Sequence, residues 1–525
     1  MNADSSPAAT PPEAMPTVNP WWIALAVMLA TFMEVLDTSI ANVSLSHIAG
    51  SLSVSTDEST WVLTTYLISN AIVIPSTAWF GQKFGRKRFL IACVGIFTVS
   101  SFLCGVATSL PMLLAMRIVQ GAGGGALQPI AQAILLESFP KEKHGQAMGI
   151  YGLGVVAAPI IGPVVGGWIT DNYSWRWIFF INIPVGIIAM TLMRKLIRDP
   201  HWIRNARPGR LDAIGFGFMS LWLGCQEVLL DKGQEDDWFS SPFIVTMAVL
   251  AVLGLVAFVG RVLMTPRPFV DLRVMKTYNF SLGLLLMFCA GVTLYGMTAA
   301  IPLFLQGLMG YTSLQSGVAM IPRGLGALIA MPLAGALVSR VQGRYLVAGG
   351  FLAFGAASFA LSRLSLDLTF GLLFWPLFFS GVSIAFMFVP LNTLALGAFR
   401  QEQIGNASGI FNLMRNVGGS VGISLITTFV ARSSQAHQVV LAARLTPYDA
   451  ASRSGLQSAA SALAAAGQSS APQKALGVLY RALLGQSELL AFLSSFRWFA
   501  LMCVLCIASA LLFKKSQAHG PIAVH

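Results

Sequence analysis

Apolar stretches of roughly twenty residues alternate with short polar segments along almost the whole chain. Fourteen such runs fall at 21–43, 60–80, 88–108, 112–134, 146–170, 177–193, 213–231, 243–264, 281–303, 315–338, 345–363, 369–392, 406–431 and 497–514. Each is about long enough to cross the roughly 30 Å of hydrocarbon in a bilayer. Within lipid every backbone N–H and C=O must be paired inside the protein, so these runs are predicted to be helices. A membrane barrel would instead show segments of roughly ten residues with alternating polarity, and the chain lacks that pattern. The expected fold class is an all-α polytopic membrane protein with 14 transmembrane helices in contact with membrane lipids.

Composition and charge then set the orientation. The chain is 55% hydrophobic and 10% charged, whereas a soluble domain carries about a quarter charged residues. With the N-terminus placed in the cytoplasm, 21 of the 33 Lys and Arg fall on the inside loops. They include Lys83 to Arg88, Arg194 to Arg210 and Arg261 to Lys276. The short outside loops hold only Arg176, Lys232 and Arg363. This bias predicts both termini inside, and it assigns the +12 net charge to loops and not to nucleic acid. Residues 1–20, rich in Ala, Pro and Ser, are expected to be a disordered tail. The run from Trp21 is too long for a signal-peptide core and is expected to stay as the first span. Residues 432–496 are expected to lie outside, either meeting a partner or capping a cavity. Ser470 to Pro472 would start a helix there, with Leu476, Leu479, Leu483 and Leu484 on its apolar face.

The chain shows no G-x-x-x-x-G-K-[ST] phosphate loop, no His spacing for a metal and no nucleophile–base–orienter set. An enzyme is therefore not expected. Cys503 and Cys506 form a C-x-x-C, but on a span embedded in lipid, where thiols are inert. The chemistry lies in charges inside spans, which are costly and point to function: Glu34, Asp37, Arg117, Arg323 and Arg415. Glu34 and Asp37 share a helix face, and two carboxylates so close in a low dielectric do not both ionise readily. That is what a proton carrier needs. Arg117 is placed to face Asp37; the other reading is a static ion pair that fixes packing. Gln128, three turns after Arg117, is expected to line a cavity. Asn412, Arg415 and Asn416 share a face on span 13 and, with Arg323, put positive charge in the second half; interhelical hydrogen bonding is the alternative. Gly121, Gly123, Gly124, Gly125, Gly162 and Gly166 offer surfaces for close helix approach, and Pro159 and Pro163 would bend span 5.

Two loops repeat weakly. Pro75 begins P-S-T-A-W-F-G-Q-K-F-G-R-K after span 2, and Pro332 begins P-L-A-G-A-L-V-S-R-V-Q-G-R after span 10, as in transporters built from repeated bundles. Four further motifs appear in order: L-D-T-S-I-A-N-V from Leu36, R-I-V-Q-G-A-G-G-G from Arg117, A-P-I-I-G-P-V-V-G-G from Ala158 and W-R-W-I-F-F-I-N-I-P-V-G from Trp175. Together they make the chain similar to the major facilitator superfamily, in its fourteen-helix drug:proton antiporter branch of EmrB-type multidrug exporters.

The resemblance implies a major facilitator fold, with two six-helix bundles (21–195, and 277–431 with 497–514) and a 196–276 linker that holds two extra helices. It implies a long periplasmic loop at 432–496 and cytoplasmic tails at 1–20 and 515–525. Asp37 and Arg117 would couple protons; at Glu34 such exporters need not have a carboxylate, and from its place it would bind a cationic substrate or be a second proton site. Asn42 and Gln128 would line the cavity. Gly85 and Arg86, and Pro159, Gly162, Pro163, Gly166 and Gly167, would carry conformational motifs. It also implies export of lipophilic compounds across a bacterial inner membrane, with no cofactor beyond the proton gradient, alongside a periplasmic adaptor and an outer-membrane channel. The rivals are another cargo, such as a fatty acid or siderophore, and a non-transporting sensor. One departure stands out: the family's Asp in the span 2–3 loop is Gln82 here, and its leading Gly is Ala78, which puts that charge relay in doubt. Asp212, Glu227 and Asp231, near the ends of the extra helices, are expected to snorkel at the interface.

Overall fold

A computed structural model describes residues 19–200, 203, 209, 211–266, 268–366, 369–397, 399–445, 450–465 and 471–514. Most of the two expected tails, together with Arg204, Arg207, Arg210, Arg267, Ser470 and Lys515, lies outside the described residues. Among those described, 14 helices are long and apolar enough to cross a membrane. They are α1 (Pro20–Val43), α2 (Glu58–Phe84), α3 (Arg86–Gly105), α4 (Leu110–Ser138), α5 (His144–Asn172), α6 (Trp177–Leu196), α7 (Ala213–Lys232), α8 (Pro242–Met264), α9 (Tyr278–Leu308), α10 (Leu314–Leu337), α11 (Gly343–Leu361), α12 (Phe370–Leu396), α13 (Gln403–Ala443) and α14 (Gln473–Leu511). Each overlaps one sequence-predicted span. Prolines punctuate several of them because proline removes a backbone donor. A 3-10 turn surrounds Pro75 in α2, and α9 passes into a π-helical turn after Pro302.

The helices pair in the same way twice. In the first bundle α1 packs on α5, α2 on α4, α3 on α4 and α6, and α6 on α1. In the second, α9 packs on α13, α10 on α12, α11 on α12 and α14, and α14 on α9. The extra helices α7 and α8 pack on each other, and α7 lies against α2 and α13. The bundles meet along two seams, α2 and α4 against α13, and α5 against α10 and α12.

The ends of α2, α4 and α6 gather with the starts of α1, α3 and α5 on one face. Arg86 bonds Glu137, Lys87 Nζ donates to Arg194 O at 2.6 Å, and Trp21 stacks edge-on to Phe139. This is the basic face; its opposite is the far face.

The segment expected as a 432–496 loop is helical at every described residue except Leu445. The helix of α13 runs without a break from Gln401 to Arg444, 44 residues, and that of α14 from Ala471 to Leu511, 41 residues. A short helix, Ala450–Ala465, packs on α14. No Gly or Pro interrupts 423–446, so nothing stops the helix at the lipid boundary. At 1.5 Å per residue α13 is roughly 65 Å long, about twice the hydrocarbon thickness, and it projects beyond the far face. On α14 the expected apolar stripe is shifted. Leu476 is exposed, while Ala475 and Leu483 are buried.

Candidate functional site

The buried face of α1 carries Val27, Ala30, Glu34, Asp37 and Ala41. Glu34 and Asp37 lie one turn apart on it, yet their partners differ completely. Asp37 is held wholly within the first bundle. Its Oδ2 accepts from Arg117 Nη1 at 2.5 Å, and its Oδ1 accepts from Gln120 Nε2 at 2.9 Å and Asn182 Nδ2 at 2.7 Å. Arg117 is fully buried, and it also donates to Val62 O at 2.9 Å and Gln120 Oε1 at 2.8 Å. The Tyr66 ring lies 4.3 Å from its guanidinium carbon. Charge-assisted bonds of this kind are the strong ones, and breaking a buried pair costs several kcal/mol.

Glu34 faces the second bundle. It accepts from Asn70 Nδ2 at 3.2 Å and Gln128 Nε2 at 2.6 Å. Gln128 then uses its oxygen to accept from Arg415 Nη2 of α13 at 2.5 Å. A single amide thus joins a carboxylate in one bundle to a guanidinium in the other. The same seam continues toward the basic face. Asn412 Nδ2 donates to Gln132 Oε1 at 2.7 Å, and Ser408 Oγ donates to the same oxygen at 3.0 Å and to Pro129 O at 3.2 Å. Asn416 Nδ2 donates to Asn70 Oδ1 at 3.5 Å. The polar residues of span 13 therefore contact the first bundle.

Two expected cavity residues stay apart from this cluster. Asn42 is exposed on α1. Arg323 is buried within the second bundle, donating to Thr298 Oγ1 at 3.0 Å and Leu294 O at 3.2 Å. Conversely, Tyr66, Asn70, Gln120, Gln132, Asn182 and Ser408 belong to the site and were not singled out. Their signal was available, since each is a polar group inside an apolar run.

The Gly162 and Gly166 surface admits α1 and so packs within the first bundle. A Cβ at these positions would meet Ser39 Oγ at 2.3 Å and Ile40 Cγ2 at 3.0 Å, both on α1 of the same bundle. A Cβ at Gly167 would meet open space. The contacts between bundles are made by other positions of α5. A Cβ at Gly145 would lie 2.5 Å from Gly335 O, and one at Gly149 would lie 2.9 Å from Met331 O. Pro163 lies beside Gly317 of α10, and Pro159 O accepts from Ser39 Oγ at 3.4 Å. On α4, Gly121 and Gly125 admit the backbone of α2, and Gly123 that of α3. Helices approach this closely only where the side chain is missing.

The turn between α2 and α3 follows Gln82 by three residues. Gly85 has φ +83°, open to glycine and strained for other residues. Arg86 bonds Glu137 at the end of α4, and Asp199 Oδ1 accepts from Lys87 N at 2.8 Å. These two acids anchor the basic end of the motif. Ala78 lies beside Gly405 of α13, where a Cβ on the glycine would stand 3.8 Å from that of Ala78. Gly85→Ala is expected to destabilise the turn by about 1–3 kcal/mol, because its Cβ would also fall 2.6 Å from Asp199 Oδ2. Thermal unfolding of the purified variant checks this.

Two similar bundles closed around charges buried in lipid-spanning helices define a membrane transporter. Residues 27–423 match the model of the Major Facilitator Superfamily, and the chain belongs to that family, which is one of transporters and not of enzymes. The Multidrug export protein EmrB of Haemophilus influenzae is 37% identical over 434 residues, 82% of this chain and 84% of that protein. The Fatty acid resistance protein FarB of Neisseria gonorrhoeae is 36% identical over 429 residues, again 82% and 84% of the two chains. The crystal structure of the human organic anion transporter MFSD10 superposes with a TM-score of 0.58, covering 94% of this chain and 100% of that one. At 12% identity the latter is a likeness of fold alone.

Proposed function

We propose that this chain is a proton-coupled antiporter that exports lipophilic drugs or toxic amphiphiles. The observation that carries the reading is the division of labour on α1. Asp37 is locked inside one bundle by Arg117, while Glu34, one turn away, is linked through Gln128 to Arg415 in the other. A proton on Glu34 removes the charge that Arg415 senses across the seam, and so weakens the hold between bundles. A proton on Asp37 loosens Arg117 within the first bundle. Proton uptake from the far side therefore favours opening of the basic face. Substrate entry there and proton release restore the closed seam. Each charge moved through about 100 mV gains roughly 2.3 kcal/mol. The basic face is taken as cytoplasmic on the charge bias of its loops, with both termini on the cytoplasmic side of a bacterial inner membrane.

The helices that project beyond the far face support a periplasmic adaptor and an outer-membrane channel as partners. Val439, Val440, Leu476 and Tyr480 are exposed there, an apolar surface of the kind that marks a protein contact.

Glu34→Gln tests the coupling role. It keeps the size and one of the two acceptor oxygens that Asn70 and Gln128 use, but it cannot ionise. Expected is a fall of roughly tenfold or more in substrate-driven proton flux in proteoliposomes, a loss of about 1.4 kcal/mol of coupling, with the fold intact by thermal unfolding. Flux equal to wild type would remove Glu34 from the mechanism. A second reading, an anionic amphiphile such as a fatty acid as cargo, is favoured by the buried Arg323, which forms no ion pair among the described residues. Competition between a fluorescent lipophilic cation and a long-chain fatty acid, in wild type and Arg323→Gln, separates the two. Fatty-acid competition lost in the variant supports the anionic cargo; competition retained removes Arg323 from recognition.

A further inference from the structure

One acid of the extra helix α7, Glu227, does not snorkel as expected. Asp212 does lie at an end, where it caps Gly215 N at 3.1 Å and pairs with Arg261 at 3.1 Å. Glu227 is different. It is only 6% exposed, and both its oxygens accept from one hydroxyl, Ser420 Oγ of α13, at 2.8 and 2.9 Å. Ser420 is its only polar partner among the described residues.

The rest of this end of α7 is fastened to the other bundle. Asp231, one turn on and exposed, accepts from Thr64 of α2, and Lys232 donates to Thr60 of α2. Close packing adds to this, since a Cβ at Gly224 would lie 3.6 Å from Ile68 of α2. The end of α7 is therefore fixed to the first bundle through α2, and where it packs on α13 of the second bundle its polar contact among the described residues is this buried carboxylate. When the bundles move relative to one another, the Glu227–Ser420 contact must change.

We propose that Glu227 is a second proton-binding site of the transport cycle, placed on the far-face seam between α2 and α13 and coupled to bundle motion through Ser420. The inference rests on the proton-coupled reading above. Ionised, Glu227 holds the Ser420 hydroxyl with full negative charge, the stronger form of such a bond. It thereby stabilises the arrangement seen here, in which the basic face is closed. A proton arriving from the far face meets Asp231 first and Glu227 one turn deeper. Once protonated, Glu227 loses the charge-assisted bond and α13 is freed. The sign agrees with antiport, because far-side proton uptake weakens the basic-face-closed state. The charged group that faces Glu227 is Asp231 on its own helix; α13 presents Ser420, and α2 presents Thr64, which Asp231 engages. The Ser420 hydroxyl also reaches Asn416 O at 3.3 Å. Asn416 bonds Asn70, and Asn70 bonds Glu34. The new site is thus joined to the central one through the Asn416 backbone carbonyl and the side chains of Asn416 and Asn70.

The test is a distance measurement on the full chain, with spin labels at Ser51→Cys and Gln435→Cys, both exposed near the far face. The chain without these two cysteines serves as the labelling control. In wild type, acidification is expected to shift the distance distribution. In Glu227→Gln the acid-like distribution should already dominate at neutral pH, with the population ratio moved about tenfold and most of the pH response gone. Ser420→Ala should shift it the same way, and Ser420→Thr, which keeps the hydroxyl, should restore it. A wild-type pH response in Glu227→Gln, or an unchanged distribution in Ser420→Ala, would overturn the proposal. Substrate-driven proton flux on the same preparations separates the two readings. Flux present in wild type with an unaltered pH response in Glu227→Gln sinks this inference alone. Flux absent in wild type sinks the transport reading, and the distance data still decide whether Glu227 senses protons.

Discussion

Arg117→Ala is expected to lose about 3–5 kcal/mol of stability, the cost of leaving a buried partner charge unpaired. Asp37 would keep Gln120 and Asn182, but neither amide neutralises a carboxylate. The Tyr66 ring would also lose the cation that lies 4.3 Å from its centre. Lysine would not repair the site, because Arg117 donates in three directions, to Asp37, Gln120 and Val62 O, and an ammonium is a compact point charge on a flexible stem. The double variant Asp37→Asn with Arg117→Met removes both charges together, and most of the stability should return, since replacing a buried pair by apolar volume is often neutral. Transport should not return. Thermal unfolding and proton flux on the same samples make the comparison. A double variant that is both stable and active would show that the pair only fixes packing.

Gly145→Leu is expected to freeze the cycle with the basic face open. In the closed arrangement a Cβ at Gly145 would lie 2.5 Å from Gly335 O, and a Cβ at Gly335 would lie 2.6 Å from Gly145 O. The obstruction is backbone on both sides, so no rotamer relieves it. Overpacking of this kind costs about 1–3 kcal/mol, which corresponds to roughly 5- to 150-fold in the ratio of closed to open states. Gly162→Leu also clashes, but with Ser39 and within one bundle. It should lower stability without biasing the two faces. Accessibility of a cysteine placed on the basic-face seam, read by thiol labelling, distinguishes the two variants. Equal labelling in wild type and Gly145→Leu would contradict the account of α5 and α10 as the closing contact.

The spans and the Asp37–Arg117 pair were legible because single-helix rules suffice for them. A run of apolar residues fixes a helix, and a charge within it demands a partner. Arg117 was the cation inside the first-half spans, so its pairing with Asp37 followed. Harder to read was which helix meets which. Gly162 and Gly145 lie on the same helix and both permit close approach, yet one faces α1 and the other α10. Spacing along one helix does not name its neighbour. Glu227 was misread for a related reason. Proximity to a span end suggested an interface, but α13 passes beside α7 at that depth and covers it. The length of α13 was hidden because hydropathy marks where lipid ends and not where a helix ends. Asn70, Gln120 and Asn182 are neutral, and neutral amides inside apolar runs draw less notice than charges do. Here they complete the shell around both carboxylates.

The central claim, that α1 carries proton coupling for export, is tested most directly by proton flux. Purified protein would be reconstituted in liposomes that contain a pH-sensitive dye, with a proton gradient imposed and a panel of lipophilic compounds added. Wild type would be compared with Asp37→Asn. The account predicts compound-dependent proton movement in wild type and its loss in the variant, with compound binding retained in both. Proton movement of equal size in the variant would contradict it.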